Sequence, residues 1–174
     1  MTKSAIDQHL QDAVASGTIP GVVALAANAS GVCYSGAFGT MGPGDERPMQ
    51  TDTVFRIASM TKAITAAAAM QLVEQGRLGL DQPMKEVAGQ IGEAQVLTGF
   101  AADGTPQLRA PRRDVTLRHL LTHTSGYSYD LFNANVGRYT AHAGLPSIVT
   151  CKYDALKAPL VFDPGEKWEY GIGI

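Results

Sequence analysis

The chain has 174 residues, 45% hydrophobic and 17% charged, with a formal net charge of −2. That length supports a real core in one domain or one and a part, and the composition is that of an ordinary globular protein rather than a disordered one. The slight negative charge gives no field for nucleic acid or anionic lipid; Arg109, Arg112 and Arg113, interleaved with Ala110 and Pro111, read as a solvated loop.

The N-terminus lacks the apolar run of a secretory signal, and no stretch is long and apolar enough to span a bilayer. Cys33 and Cys151 stand far apart without Cys-x-x-Cys spacing. Reduced thiols in a cytoplasmic protein, away from membranes, are therefore expected.

In chain order, Ile6, Leu10, Ala13 and Val14 recur at helical spacing and predict a helix over 4–16, stopped by Gly17. Gly21 to Ala27 is a nearly unbroken apolar run, expected to be a strand covered on both faces. Turn chemistry at 28–31 leads to a second strand over 32–38, and the Gly- and Pro-rich stretch 39–53 predicts a loop. The segment from Ser59 to Gly76 is rich in Ala and Leu, apolar on nearly every face, and predicts a buried helix. Leu80 to Pro83 is a turn before a short helix. Val96–Phe100 and Pro106–Arg109 form a hairpin across Asp103-Gly104, and 116–122 a further short helix closed by Ser125-Gly126. Asp163-Pro164-Gly165 is a turn, and Asp81 and Asp163 are expected in capping or turn roles. Gly171 to Ile174 has no terminating feature and looks cut within an element.

Within this pattern, Ser59 and Lys62 fall one helical turn apart on one face. A serine hydroxyl is a weak nucleophile until a base takes its proton. Lysine can act as that base only when its ammonium is destabilised by apolar burial or a neighbouring cation. Lys62 is the one charged residue between Ile57 and Val73, which predicts a depressed pKa. The positive end of the helix dipole near Ser59 favours a developing oxyanion.

Three segments, Phe55–Lys62 (Phe-Arg-Ile-Ala-Ser-Met-Thr-Lys), Thr116–Gly126 (Thr-Leu-Arg-His-Leu-Leu-Thr-His-Thr-Ser-Gly) and Asp163–Tyr170 (Asp-Pro-Gly-Glu-Lys-Trp-Glu-Tyr), resemble in order and approximate spacing the β-lactamase-like serine hydrolases. That group includes class C β-lactamases, D-Ala-D-Ala carboxypeptidases, family VIII carboxylesterases and statin-forming acyltransferases. The resemblance implies an α+β fold of the β-lactamase/transpeptidase type: an antiparallel sheet flanked by helices, plus a mostly helical domain. Residues 1–57 would give the first helix and strands, and 58–174 the helical domain. It further implies Ser59 as the acylated serine, Lys62 as its proton acceptor and Tyr170 as the proton shuttle of a Tyr-x-Asn element.

Two departures carry information. Ile172 stands where β-lactamases have Asn, which shifts the expectation from β-lactams and peptides towards esters and acyl transfer. No Lys-Thr-Gly strand is present, so the sheet is incomplete and one oxyanion donor missing. The resemblance thus makes these residues the N-terminal part of a longer protein, its C-terminal remainder carried on a separate chain and its sheet edge exposed in isolation.

The expected activity is hydrolysis of a small-molecule carboxylic ester. Acyl transfer to an alcohol comes next, then β-lactam or D-Ala peptide hydrolysis, with a non-catalytic ligand-binding homologue as the remaining alternative. No cofactor or metal is expected. His119 and His123 have a zinc-compatible spacing but no third ligand nearby, and are assigned to structural hydrogen bonds. Without a Gly-x-Ser-x-Gly elbow, an α/β-hydrolase is disfavoured.

Overall fold

In the computed structural model, residues 2–174 are described. They form two compact units, the first ending at Ile57 and the second covering Ala58–Ile174.

The first unit begins with helix α1 (Lys3–Ala15), capped by the Thr2 hydroxyl, which accepts the Ala5 N–H. Strands β1 (Gly21–Asn28), β2 (Gly31–Gly42) and β3 (Asp45–Pro48) follow as an antiparallel sheet in that order. Two corrections arise here. The stretch 39–53 is not all loop, because β2 runs on to Gly42 and turns directly into β3. Nor is β1 covered on both faces: its first half is half-buried and its second half exposed, with Leu25 64% accessible. Among the described residues it is an edge strand, paired with β2 alone. α1 is joined to the sheet through Tyr34, a buried residue whose hydroxyl donates to Asp7 Oδ1 at 2.8 Å.

The second unit carries helix α2 (Thr61–Glu74), the hairpin of β4 (Val96–Phe100) and β5 (Pro106–Arg109), and helices α3 (Leu117–Leu121) and α4 (Ala134–His142). α4 is absent from the sequence expectations. Its apolar signal is sparse, and it is nucleated by Asn133, whose side-chain oxygen accepts the N–H groups of Asn135 and Val136. The core gathers Met84, Val96, Val115, Leu117, Leu120, Tyr127 and Leu160. Leu160, fully buried, is held by a parallel bridge to Val96, its N–H donating to the Gln95 carbonyl and its own carbonyl accepting the Leu97 N–H. Burial of such a side chain contributes about 2 kcal/mol.

α2 departs from expectation: none of its residues is buried. With alanines all round, the helix has no preferred apolar side. Lys62, Ala66, Ala69, Leu72 and Val73, at helical spacing, are half-buried, and Ala69 and Val73 of this stripe pack against the core. Met60 just ahead of it, and Ile64 and Met70 on it, are exposed.

Arg112 and Arg113 are exposed, as in a solvated loop, but Arg109 is tied down, and Asp163 is more than a turn residue. Arg109 donates in bidentate fashion to the completely buried Asp163, Nη1 to Oδ1 at 2.8 Å and Nη2 to Oδ2 at 2.6 Å. The Arg112 N–H also donates to Oδ1 at 2.8 Å. Asp81 likewise forms an ion pair, accepting from Arg118 Nε and Nη2 at 2.7 and 2.8 Å. A buried carboxylate is tolerable only with its oxygens so satisfied.

Arg109, then the Arg112 N–H, hold the Asp163 carboxyl far below the ordinary carboxylate range. The stabilisation is therefore complete above the unfolded value near 3.9 and is lost as pH falls towards the folded value. Replacing Asp163 with Ala should lower the thermal midpoint at neutral pH on the order of 10 °C. The difference from wild type should shrink in acid, as followed by circular dichroism; equal midpoints at pH 7 would contradict the tie.

Candidate active site

A 3-10 turn, Ala58–Met60, precedes α2, so Ser59 lies just ahead of the helix, exposed to solvent. Ala58 has φ +45°, a left-handed conformation that costs a residue with a Cβ on the order of 1 kcal/mol. This strained residue sits immediately before the serine. Met60, at the N-cap of α2, offers no side-chain hydrogen bond, so the positive end of the helix is uncapped next to Ser59.

Lys62 occupies the inward stripe of α2, and its Nζ donates to Tyr129 Oη at 2.8 Å. Its ammonium lies 5.4 Å from the Tyr129 ring centroid and 5.1 Å from that of Tyr170, and the two rings are 5.7 Å apart. Interaction with Ser59 first, and then with Lys62, pulls the Tyr170 phenol below its ordinary value of 10.0. Ser59, Lys62 and Tyr170, 108 residues apart between the last two, thus meet in one cluster, and Tyr129 joins them.

The direction at Lys62 is opposite to the sequence expectation. Burial pushes its pKa down, but the hydrogen bond and charge interactions of Tyr129 and then Tyr170 outweigh that, and the net direction is upward. The lysine is alone on its own helix, but the fold surrounds it with two phenols rather than hydrocarbon. What this arrangement favours is an ammonium beside an acidified phenol.

The Thr116–Gly126 segment builds one wall. Thr116 and His119 form a reciprocal capping box: Thr116 Oγ1 accepts the His119 N–H at 3.3 Å, and His119 Nδ1 accepts the Thr116 N–H at 3.2 Å. Leu117 and Leu120 enter the core. His123 follows with φ +56°, its ring centroid 4.6 Å from that of Tyr170 and its Nδ1 accepting the Gly171 N–H at 3.4 Å. Burial first, and then the charge of Lys62, lower the His123 pKa. Both histidines therefore serve backbone amides, and no cluster of three or more metal-ligating side chains occurs among the described residues.

The 161–171 segment runs beside this wall. Val161 N–H donates to the Gly126 carbonyl, Gly165 N–H to Thr124, and Glu169 N–H to His123, at 2.8, 2.7 and 3.0 Å. The approach is so close that a Cβ at Gly171 would lie 2.1 Å from the Tyr127 carbonyl oxygen, and one at Gly126 2.4 Å from that of Phe162. Both positions require glycine. Ile172, in the place of the Asn of the Tyr-x-Asn element, packs against the apolar core and lines a cavity of about 350 Å³ with Leu120 and Tyr127.

Sequence reasoning missed Tyr129. Tyr127 is buried in the core, whereas Tyr129, two residues on, reaches Lys62. The spacing of the two residues gives no sign of that split.

The segments that meet here are the three whose pattern resembled the β-lactamase-like hydrolases, and comparison with known proteins agrees. The Beta-lactamase family profile matches residues 6–172. Lovastatin esterase of Penicillium rubens is 37% identical over 174 residues, covering 97% of this chain and 44% of its own. Monacolin J acid methylbutanoyltransferase of Aspergillus terreus is 37% identical over 176 residues, covering 97% of this chain and 43% of its own. The unliganded structure of simvastatin synthase from Aspergillus terreus superposes with a TM-score of 0.82 at 36% identity, across 98% of this chain and 45% of that one. The chain thus spans less than half the length of these relatives, and its fold is the α+β fold of the β-lactamase/transpeptidase type with an incomplete sheet. A serine just ahead of a helix and next to a strained alanine, a lysine three residues on and a tyrosine delivered from a distant segment agree with the profile match, and the chain belongs to the Beta-lactamase family.

Proposed function

We propose that the protein is a serine carboxylesterase acting through an acyl-enzyme on Ser59, with Lys62 and Tyr170 moving the proton. The observation that carries this is the arrival of Tyr170 with its ring 5.1 Å from the Lys62 ammonium, beside Tyr129 and with Ser59 in the turn just ahead of the same helix. In the acylation step Ser59 Oγ bonds to the ester carbonyl carbon while its proton passes to the Lys62–Tyr170 pair. The Lys62 ammonium stabilises Tyr170 as the acceptor. Collapse of the tetrahedral intermediate breaks the bond to the alkoxy oxygen, and the pair returns the proton to the departing alcohol. Water then repeats the cycle in reverse order and frees the acid. Tyr129, hydrogen-bonded to Lys62, keeps the ammonium between the two phenols.

The backbone N–H of Ser59 supplies one oxyanion donor. The second is assigned to a segment outside these residues, in keeping with relatives more than twice as long. The same acyl-enzyme resolved by an alcohol in place of water is acyl transfer, a reading favoured by the likeness to an acyltransferase. The apolar setting of Ile172 speaks against a β-lactam side-chain amide being bound there.

Two outcomes test this in the active protein. Ser59→Ala should abolish hydrolysis of p-nitrophenyl butyrate and labelling by a fluorophosphonate while leaving the circular dichroism spectrum unchanged; retention of most activity would exclude Ser59. Wild type should leave nitrocefin intact, and product analysis with an added alcohol separates hydrolysis from transfer.

The pH dependence follows from the shifts. With Tyr170 below 10.0 and Lys62 above 10.5, kcat/KM should rise with pH as the phenol deprotonates and fall only once the ammonium is lost. Tyr170→Phe should remove the rising limb and lower kcat roughly 10²- to 10⁴-fold. A profile flat between pH 6 and 10 would count against the phenol as proton acceptor.

A further inference from the structure

Glu169, the residue before Tyr170, is a charged side chain that the proposed chemistry does not use. It is half-buried, and its partners lie on the segment that carries the other tyrosine. Glu169 Oε1 accepts a short hydrogen bond from the Ser128 hydroxyl and a second one, 2.8 Å long, from Asn133 Nδ2. Ser128 is buried and directly precedes Tyr129. Asn133 is the residue whose side-chain oxygen caps α4. One carboxylate oxygen thus joins the residue ahead of Tyr170 to the residue ahead of Tyr129 and to the start of α4.

The backbone adds a second tie at the same place, the Glu169 N–H donating to the His123 carbonyl at 3.0 Å. His123 lies against the Tyr170 ring and accepts the Gly171 N–H. A purely architectural ion pair would place a cation opposite the carboxylate. Here both side-chain donors are neutral, and their geometry is fixed by a buried serine and a helix cap.

We propose that Glu169 is a positioning residue that sets the separation of Tyr129 and Tyr170 across Lys62, so that both phenols reach the ammonium at once. This inference rests on the acyl-enzyme reading above and adds to it a residue that touches neither substrate nor reacting atoms. Its hydrogen bonds hold two segments more than thirty residues apart in sequence in the register that proton transfer needs, and misplacement of such a group by about 1 Å is enough to lower a rate 10²-fold.

The test uses two conservative variants of the active protein that leave the fold intact, with fluorophosphonate labelling of Ser59 in the unsubstituted protein as reference. Glu169→Asp keeps the charge but draws the carboxylate back by about one bond length, roughly 1.5 Å, beyond reach of both donors. Its kcat should fall roughly 10- to 100-fold with KM changed less than about threefold. Glu169→Gln removes the charge but keeps an oxygen that accepts from Ser128 and Asn133, and should recover kcat to within about threefold of wild type. An unaltered kcat in Glu169→Asp, a loss confined to KM, or a Glu169→Gln variant as slow as Glu169→Asp would each overturn the inference while Ser59 still labels. Absence of label in the unsubstituted protein would instead remove the acyl-enzyme reading, and the inference with it.

Discussion

The approach of the 161–171 segment to the 123–128 segment governs the geometry of the second unit. At Gly171 the two backbones are so close that a side chain has no room, and at Gly126 the same holds from the other side. A tyrosine placed one residue before such a contact has little freedom in where its ring goes. Tyr170 is further confined by His123 on one face and by Lys62 near its ring. The pairing of Arg109 with the buried Asp163 and the core around Leu160 hold the start of the same segment, so a single ladder of contacts runs from the hairpin to the phenol.

Two of the three left-handed non-glycine residues among the described residues stand beside the serine and on this ladder, the third being Cys151. Ala58 and His123 are non-glycine residues in the left-handed region, one adjoining Ser59 and the other packed on Tyr170. Residues held in such conformations persist only where the surroundings over-determine them. At His123 the surroundings are explicit: its carbonyl accepts from Glu169 and its ring nitrogen from Gly171, so the residue bonds on both sides of Tyr170.

The electrostatics are those of a shared cation. Lys62 could in principle have been a neutral amine in an alanine-lined slot, ready to take a proton by itself. The two phenols beside it reverse that tendency and make the ammonium the stabilising partner of Tyr170. The neighbouring histidine is pushed towards its neutral form by burial and by the same ammonium. One positive charge therefore disfavours a second in its vicinity while favouring the acidified phenol.

Local patterns settled a good part of this molecule in advance. Helix spacing in the first fifteen residues, the hairpin flanking Asp103-Gly104, and the short helix after Thr116 are written in short-range preferences, and the structure has them where the sequence placed them. The helix that carries Lys62 was likewise legible in its alanines and leucine, although it begins at Thr61 and leaves Ser59 in the turn ahead of it. Tertiary structure decided what surrounds them. No periodicity indicates that Tyr129 faces Lys62 while Tyr127 enters the core, that Asp163 is buried under two arginines, or that one stripe alone of an evenly apolar α2 packs inward. Each of these depends on which distant segment arrives opposite a given side chain. A residue's charge state and burial are properties of that encounter, and the neighbours in the chain do not contain it.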